Sequence, residues 1–168
     1  MPRSIDILTE SSATVEQINA AFGREDYWLA RVAGDDSVTL DSLHVDTDGD
    51  GAVTAHITQY LGRQLLPGLL ARSMPGDLKL NYRETWRPGA DGSTRGEVTV
   101  LVAGGLGSSR AQNSLMPTGN GSQLRSAVSV EVKLPVVGGK LEQTIATGLS
   151  ESIPSMLRFT TTWIAENA

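Results

Sequence analysis

The chain has 168 residues, of which 39% are hydrophobic, and this length and composition predict one domain over residues 1–168 with a sizeable core. Its 14 lysines and arginines are outnumbered by 19 aspartates and glutamates, and the net charge of -5 argues against a nucleic-acid partner. The chain has no cysteine, which excludes disulfides and thiolate metal sites. No apolar run approaches the roughly 18 residues of a membrane helix. We therefore expect a cytoplasmic protein with no integral membrane segment.

The first part of the chain is patterned as one strand followed by two short helices. Residues 4–11 alternate loosely between apolar and polar, which is typical of a strand. Thr14, with Gln17 three residues later, forms a capping-box signature for a helix that Gly23 ends. A second short helix is predicted from Glu25 to Ala33, because its acidic start suits the positive end of the helix dipole.

From Ser37 onward the apolar residues recur at every second position, as in antiparallel strands joined by hairpins. An Asp-Gly-rich turn separates the first two of these strands. Further strands are predicted at residues 78–86, 95–102, roughly 111–116 and 124–134. Hairpins, not crossover helices, link most of them, so the predicted class is α+β with an antiparallel sheet of about six to seven strands.

The last part of the chain predicts a long C-terminal helix that follows the strand at 124–134 and ends at Ala168. Its inner stripe recurs near the 3.6-residue helical period and contains Leu141, Ile145, Gly148 with Leu149, Ser152, Met156, Phe159 with Thr160, and Trp163. Gly148 and Ser152 are small, so we expect them to leave a hollow between this helix and the sheet. Pro154 lacks a backbone N–H and is expected to kink or split the helix.

With these elements in order, the chain resembles the START-like, or SRPBCC, superfamily, whose fold is the helix grip. The resemblance rests on the element order and on the run Val130–Glu142 that leads into the last helix. Shorter motifs are similar to an actinobacterial family of uncharacterised function within it, namely Asp26-Tyr27-Trp28, Pro75-Gly76-Asp77-Leu78, Glu84-Thr85-Trp86 and Arg158–Ile164. The resemblance implies a curved sheet with the C-terminal helix packed across it, and a cavity between them for sterols, lipids, quinones or polyketides.

Motifs that suggest a metal or a cofactor fail on their spacing. Residues 46–51 match the start of a calcium loop, but Ile57 stands where the bidentate glutamate is required, so a hairpin turn is favoured. His44 and His56 lie on the two arms of this hairpin without a third ligand. The glycine motifs at 105–107 and 138–140 lack the further residues of a dinucleotide or phosphate loop. We expect no metal and no cofactor.

Glu84 is a charged residue that the alternation of its strand places on the inner face, together with Tyr82 and Trp86. A desolvated carboxyl group favours its neutral form and can serve as an acid or base unless a cation pairs with it. Two interpretations stay open: a structural role, either as an ion pair with an arginine such as Arg125 or Arg95 or at the rim in water, which we favour, and contact with a ligand.

The predicted function is the binding of a hydrophobic small molecule, such as a lipid, polyketide or isoprenoid-like compound, without catalytic residues. The predicted ligand-binding residues are Tyr82, Glu84, Trp86, Met116, Gly148, Ser152, Met156, Phe159 and Trp163. One alternative is a cyclase or aromatase that uses Glu84 as acid or base. Another is a protein-binding module that uses the apolar segment Arg63–Met74, where most members of the superfamily have a tight hairpin. A homodimer is also left open.

Overall fold

The computed structural model describes residues 3–62, 68–73 and 76–167. Within them, the strands are β1 (Arg3–Ser11), β2 (Val38–Thr47), β3 (Val53–Leu61), β4 (Leu78–Pro88), β5 (Thr94–Val102), β6 (Gly107–Thr118) and β7 (Gly121–Val132). The helices are α1 (Val15–Phe22), α2 (Glu25–Ala33), α3 (Gly68–Ser73) and α4 (Gly138–Asn167). This order confirms the predicted α+β helix-grip fold, with two short helices after the first strand and a long helix at the end.

The strands form one antiparallel sheet in the order β1-β7-β6-β5-β4-β3-β2. Strands β2 to β6 each pair with the next strand along the chain, as hairpin connections require, and β1 forms one edge of the sheet by pairing with β7. The turn after β2 is built by Asp48, whose Oδ1 accepts the backbone N–H groups of Asp50 and Ala52 at 2.9 and 3.1 Å. Residues 46–51 therefore belong to a hairpin, as expected.

The two short helices carry the aromatic part of the core. Thr14 caps α1 through the predicted capping box with Gln17. Phe22, Tyr27 and Trp28 are almost completely buried and pack together with two further aromatic residues, Trp86 of β4 and Trp163 of α4. These aromatic residues fill the space between α1, α2, the end of α4 and the sheet, so this part of the core is closely packed.

Helix α4 runs from Gly138 to Asn167 without interruption, so Pro154 does not split it. Its buried residues are Gly138, Leu141, Glu142, Ala146, Leu157, Thr160 and Trp163. The predicted inner stripe is therefore partly wrong: Ile145 is 41% exposed, and Gly148 and Ser152 are exposed. The reason is that the helix packs on two different surfaces, the β1–β7 edge of the sheet and the α1–α2 pair, which one periodic stripe does not capture.

No helix in the described part of the chain combines the length and the apolar character needed to cross a membrane.

Candidate functional site

A cavity of about 560 Å³ lies between the inner face of the sheet and the middle of α4. Most of its wall is apolar, including Val98 and Ala111 from the sheet and Ile153 and Met156 from α4. Exposed side chains such as Asp36 also line it, so the cavity reaches the surface between the end of α2 and α4. The volume falls within the range of about 300–1,000 Å³ that is usual for small-molecule sites.

Five of the nine predicted ligand-binding residues line this cavity. They are Tyr82, Glu84, Ser152, Met156 and Phe159. The first two come from β4 and the other three from α4, so the sheet and the long helix both contribute, as the helix-grip interpretation implies. Ser152 is exposed and lies at the mouth, which differs from the buried position expected for it.

The other four predicted residues do not line the cavity. Trp86 and Trp163 belong to the solid aromatic core. Met116 is 49% exposed, because Ala111, Asn113 and Leu115 take the inner positions of β6 and the alternation turns Met116 outward. Gly148 is exposed, and a Cβ atom added there would meet nothing within 4 Å, so its small size does not create the hollow.

Glu84 is completely buried and is held by donors on both of its oxygens. Trp86 donates its indole N–H to Oε1 at 2.9 Å, and Tyr82 donates its hydroxyl to Oε2 at 2.8 Å. Arg31 Nη1 of α2 lies 3.1 Å from Oε2 and forms the ion pair. The structural ion pair is therefore present, but its expected partners are wrong, since Arg95 and Arg125 are exposed and lie on the outer face.

Gly96 on β5 explains how Trp86 reaches Glu84. The two residues Gly96 and Trp86 are register partners, and a Cβ atom at Gly96 would lie 2.6 Å from the Trp86 ring. Because Gly96 has no side chain, the indole lies flat against the neighbouring strand and its N–H points along β4 toward Glu84. The hydrogen bond from Trp86 to Glu84 therefore depends on the absence of a side chain at Gly96.

Arg31 connects α2 to the cavity wall. Its Nη2 donates to the Tyr82 hydroxyl at 3.0 Å, and its guanidinium carbon lies 4.9 Å from the Trp28 ring centroid, a cation–π distance. Burial, the largest single influence, lowers the pKa of Arg31, but the negative charge of Glu84 together with the neighbouring Tyr82 and Tyr27 outweighs it, so the pKa is raised. Sequence reasoning missed Arg31, although its i, i+4 spacing from the buried Tyr27 places it on the inner face of α2.

The two tyrosines near Glu84 are held in their neutral form. Burial raises the pKa of Tyr82 above its usual 10.0, and the charge of Glu84 raises it further. Burial also raises the pKa of Tyr27, whose hydroxyl lies 2.6 Å from Thr160 Oγ1 on α4. Both phenols therefore remain hydrogen-bond donors throughout the neutral range.

Asn113 and Ser126 are two further polar residues of the cavity wall that sequence reasoning missed. Both are buried at inner positions, Asn113 between Ala111 and Leu115 on β6 and Ser126 between Leu124 and Val128 on β7. The signal that could have found them is a single polar residue within an apolar period-two series.

The predicted histidine pair lies outside this site. His44 and His56 face each other across β2 and β3, and both are exposed, as expected for a solvent-facing pair. His44 Nε2 lies 3.0 Å from Asp46 Oδ1. Among residues 3–62, 68–73 and 76–167, no three histidine, aspartate or glutamate side chains gather as metal ligands would.

The chain is similar to known proteins along its whole length. It is 36% identical to an uncharacterized protein, Rv0481c, of Mycobacterium tuberculosis, over 99% of both chains. Its structure resembles TTHA0849 from Thermus thermophilus, with a TM-score of 0.57 and 13% identity over 100% of both chains. It also resembles norcoclaurine synthase from Thalictrum flavum in complex with dopamine and hydroxybenzaldehyde, with a TM-score of 0.55 and 19% identity over 100% of this chain and 89% of that one.

At such low identities the two structures show a shared fold alone. The sequence family described as "Protein of unknown function (DUF2505)" matches residues 6–164, which is nearly the whole chain. Together with the mycobacterial relative, this match shows that the chain belongs to the DUF2505 family.

Proposed function

We propose that this protein binds a hydrophobic small molecule, of the lipid, polyketide or isoprenoid type, in the cavity between the sheet and α4. The observation that carries the proposal is the cavity itself, with an apolar wall and a few polar groups gathered at defined points. An apolar ligand gains affinity there by removing its surface from water, while the polar groups orient it.

The fold supports the proposal independently of the cavity. Norcoclaurine synthase, a structural neighbour, was solved in complex with dopamine and hydroxybenzaldehyde, so this fold can hold small organic molecules in at least that protein. We also infer that the DUF2505 family belongs to the START-like superfamily, because this member has the helix-grip architecture. A cytoplasmic location and a homodimer stay predictions.

An acid–base role for Glu84 receives less support from the geometry. Both carboxylate oxygens already accept hydrogen bonds, and Arg31 balances the charge. These contacts hold the carboxylate in one position, as a structural ion pair requires, and leave Oε1 with one further acceptor site for a ligand. A role in partner binding for Arg63–Met74 rests on residues that lie partly outside the described ones, with α3 covering 68–73.

Titration with the apolar fluorescent dye Nile red tests the proposal. We expect saturable binding by the wild-type protein, and loss of at least tenfold in affinity in an Ala111→Phe variant, because Ala111 lines the cavity and the new ring fills it. The matched control is Ala127→Phe, an exposed alanine on β7, which should retain wild-type affinity.

A second pair of variants, both in α4, tests whether a bulky side chain at the mouth of the cavity weakens dye binding without a change in the sheet. Ser152→Phe places an aromatic ring at the exposed rim of the cavity, whereas Ser150→Phe places it two residues away, outside the lining. The first should weaken dye binding and the second should not. Saturable binding that none of the four variants alters would locate the dye elsewhere and contradict the proposed site.

A further inference from the structure

Three residues in the wall of the cavity carry a buried polar atom that makes no hydrogen bond among the described residues. One is Arg31, whose Nη1 is ion-paired with Glu84 at 3.1 Å. The other two atoms, Asn113 Oδ1 and Ser126 Oγ, are uncharged and have no partner of any kind among the described residues, and their residues are only 8% and 1% exposed. Burying a polar atom without a partner costs stability, so native proteins keep such atoms where something outside the chain pairs with them. Thr9 Oγ1 and Asn19 Oδ1 are also unpaired but do not line the cavity.

The two atoms belong to residues that are direct neighbours. Asn113 of β6 and Ser126 of β7 are register partners, so their side chains lie on the same face of the sheet. Cβ atoms of such a pair are about 4.5–5.5 Å apart, which brings both side chains within reach of one ligand group. Their surroundings are apolar, since Ala111 and Val128 form the next register pair on the same face and also line the cavity.

Hydrogen-bonding capacity decides which ligand group fits this pair. Asn113 Oδ1 only accepts, whereas the Ser126 hydroxyl both donates and accepts. A carbonyl or carboxylate oxygen of a ligand has no proton for Asn113 Oδ1 and would leave it unpaired. An ammonium group would bury a second charge in an apolar wall, where Arg31 already balances Glu84. A hydroxyl group matches both atoms and carries no charge.

We propose that the ligand is an apolar molecule with an alcohol or phenol hydroxyl, which donates to Asn113 Oδ1 and accepts from the Ser126 hydroxyl. This inference rests on the proposed function and adds the chemical class and orientation of the ligand. The hydroxyl end lies against β6 and β7, and the apolar body extends between Val98 and Ile153 toward the mouth.

Displacement of Nile red by three matched probes, naphthalene, naphthol and naphthaldehyde, tests the inference. In the wild-type protein we expect naphthol to bind about tenfold more tightly than naphthalene, and naphthaldehyde to bind more weakly than naphthol. In the Asn113→Leu, Ser126→Ala double variant the preference for naphthol should disappear, while naphthalene binds at least as well as before. The double variant should also be more stable without ligand, because the unpaired atoms are gone.

The controls separate this inference from the proposed function. Gln112→Leu combined with Ser129→Ala also replaces an amide by leucine and a serine by alanine, but on the outer face of β6 and β7, and should keep the naphthol preference. Ser126→Ala alone, which removes one oxygen, replaces the double variant if that variant does not fold. Equal binding of naphthol and naphthalene, or tighter binding of naphthaldehyde, overturns the inference while the binding function stands. Binding of no probe and no dye overturns both.

Discussion

Glu84 is the residue that links Tyr82, Trp86 and Arg31 beside the cavity. It is fully buried, and its two oxygens are satisfied by Trp86, Tyr82 and Arg31 from two different elements. Removing one partner of a buried ion pair leaves an uncompensated charge, which costs more than the intact pair contributes. The contributions of Glu84 and Arg31 to stability are therefore expected to be coupled.

Glu84→Gln should lower the free energy of unfolding by roughly 3 kcal/mol, because Arg31 loses its counter-charge. Arg31→Met should also destabilise the protein, since it leaves Glu84 buried and unpaired. The double variant should lose less than the sum of the two single losses. Urea unfolding of the four proteins measures these values, and strictly additive losses would show that the two residues are not coupled.

Gly96→Ala should destabilise the protein by about 1–3 kcal/mol, because the new methyl group would overlap the Trp86 ring that now lies 2.6 Å from its position. The displaced indole also loses its hydrogen bond to Glu84. Thermal unfolding measures the loss, and the change in tryptophan emission reports the displaced ring. Unchanged stability with unchanged emission would contradict the described packing.

At the scale of elements, α4 packs on two surfaces, the β1–β7 edge of the sheet and the α1–α2 pair. It contacts β1 and β7 along its length, since Glu142 near its start accepts the N–H of Val132 and Thr161 near its end is hydrogen-bonded to Ser11, while Leu157 and Trp163 join the aromatic core. In its middle, Leu149 and Ile153 pack against the buried sheet cluster that contains Ile7 and Val128, and both also line the cavity. The hollow therefore lies beside this contact, and the absent side chain of Gly148 does not create it.

Gly148→Ala tests this explanation for the hollow. Gly148 lies inside α4, and an added Cβ atom would meet nothing within 4 Å, so alanine should raise the free energy of unfolding by about 0.5–1 kcal/mol. Affinity for Nile red should not change. A decrease in dye affinity, with the fold intact, would support the alternative explanation in which Gly148 makes room for the ligand.

At the scale of the whole molecule, the buried tyrosines link stability to alkaline pH. The pKa values of Tyr27 and Tyr82 are raised in the folded protein above the usual 10.0. Above pH 10 the unfolded chain has lost these phenolic protons while the folded chain keeps them, so the free energy of unfolding falls as the pH rises toward the raised pKa values. Below pH 10 this contribution is fully present.

Urea unfolding between about pH 9 and 11 should show this decrease in the wild-type protein. Tyr82→Phe should reduce the slope of stability against pH, because the variant has one buried phenol fewer. Tyr27→Phe should act in the same direction. Slopes that are identical in all three proteins would contradict the assignment of the decrease to these two residues.

Local sequence pattern determined most of the secondary structure. The capping box at Thr14, the turn residues 46–51 and the period-two alternation of the strands are short-range signals, and each was confirmed in place. The alternation also placed Glu84 on the inner face, since a strand turns every second side chain to one side. Element order and the family resemblance together indicated the helix grip.

Only the tertiary structure decided what covers each inner face. The partner of Glu84 is Arg31 on α2, and no pattern within β4 points to it. The same alternation describes a solid core and a hollow one, so Trp86 and Phe159 appeared equivalent, although the first is packed and the second lines the cavity. Periodicity identifies a face of an element, whereas a cavity depends on the distance between elements, which is set by packing elsewhere in the molecule.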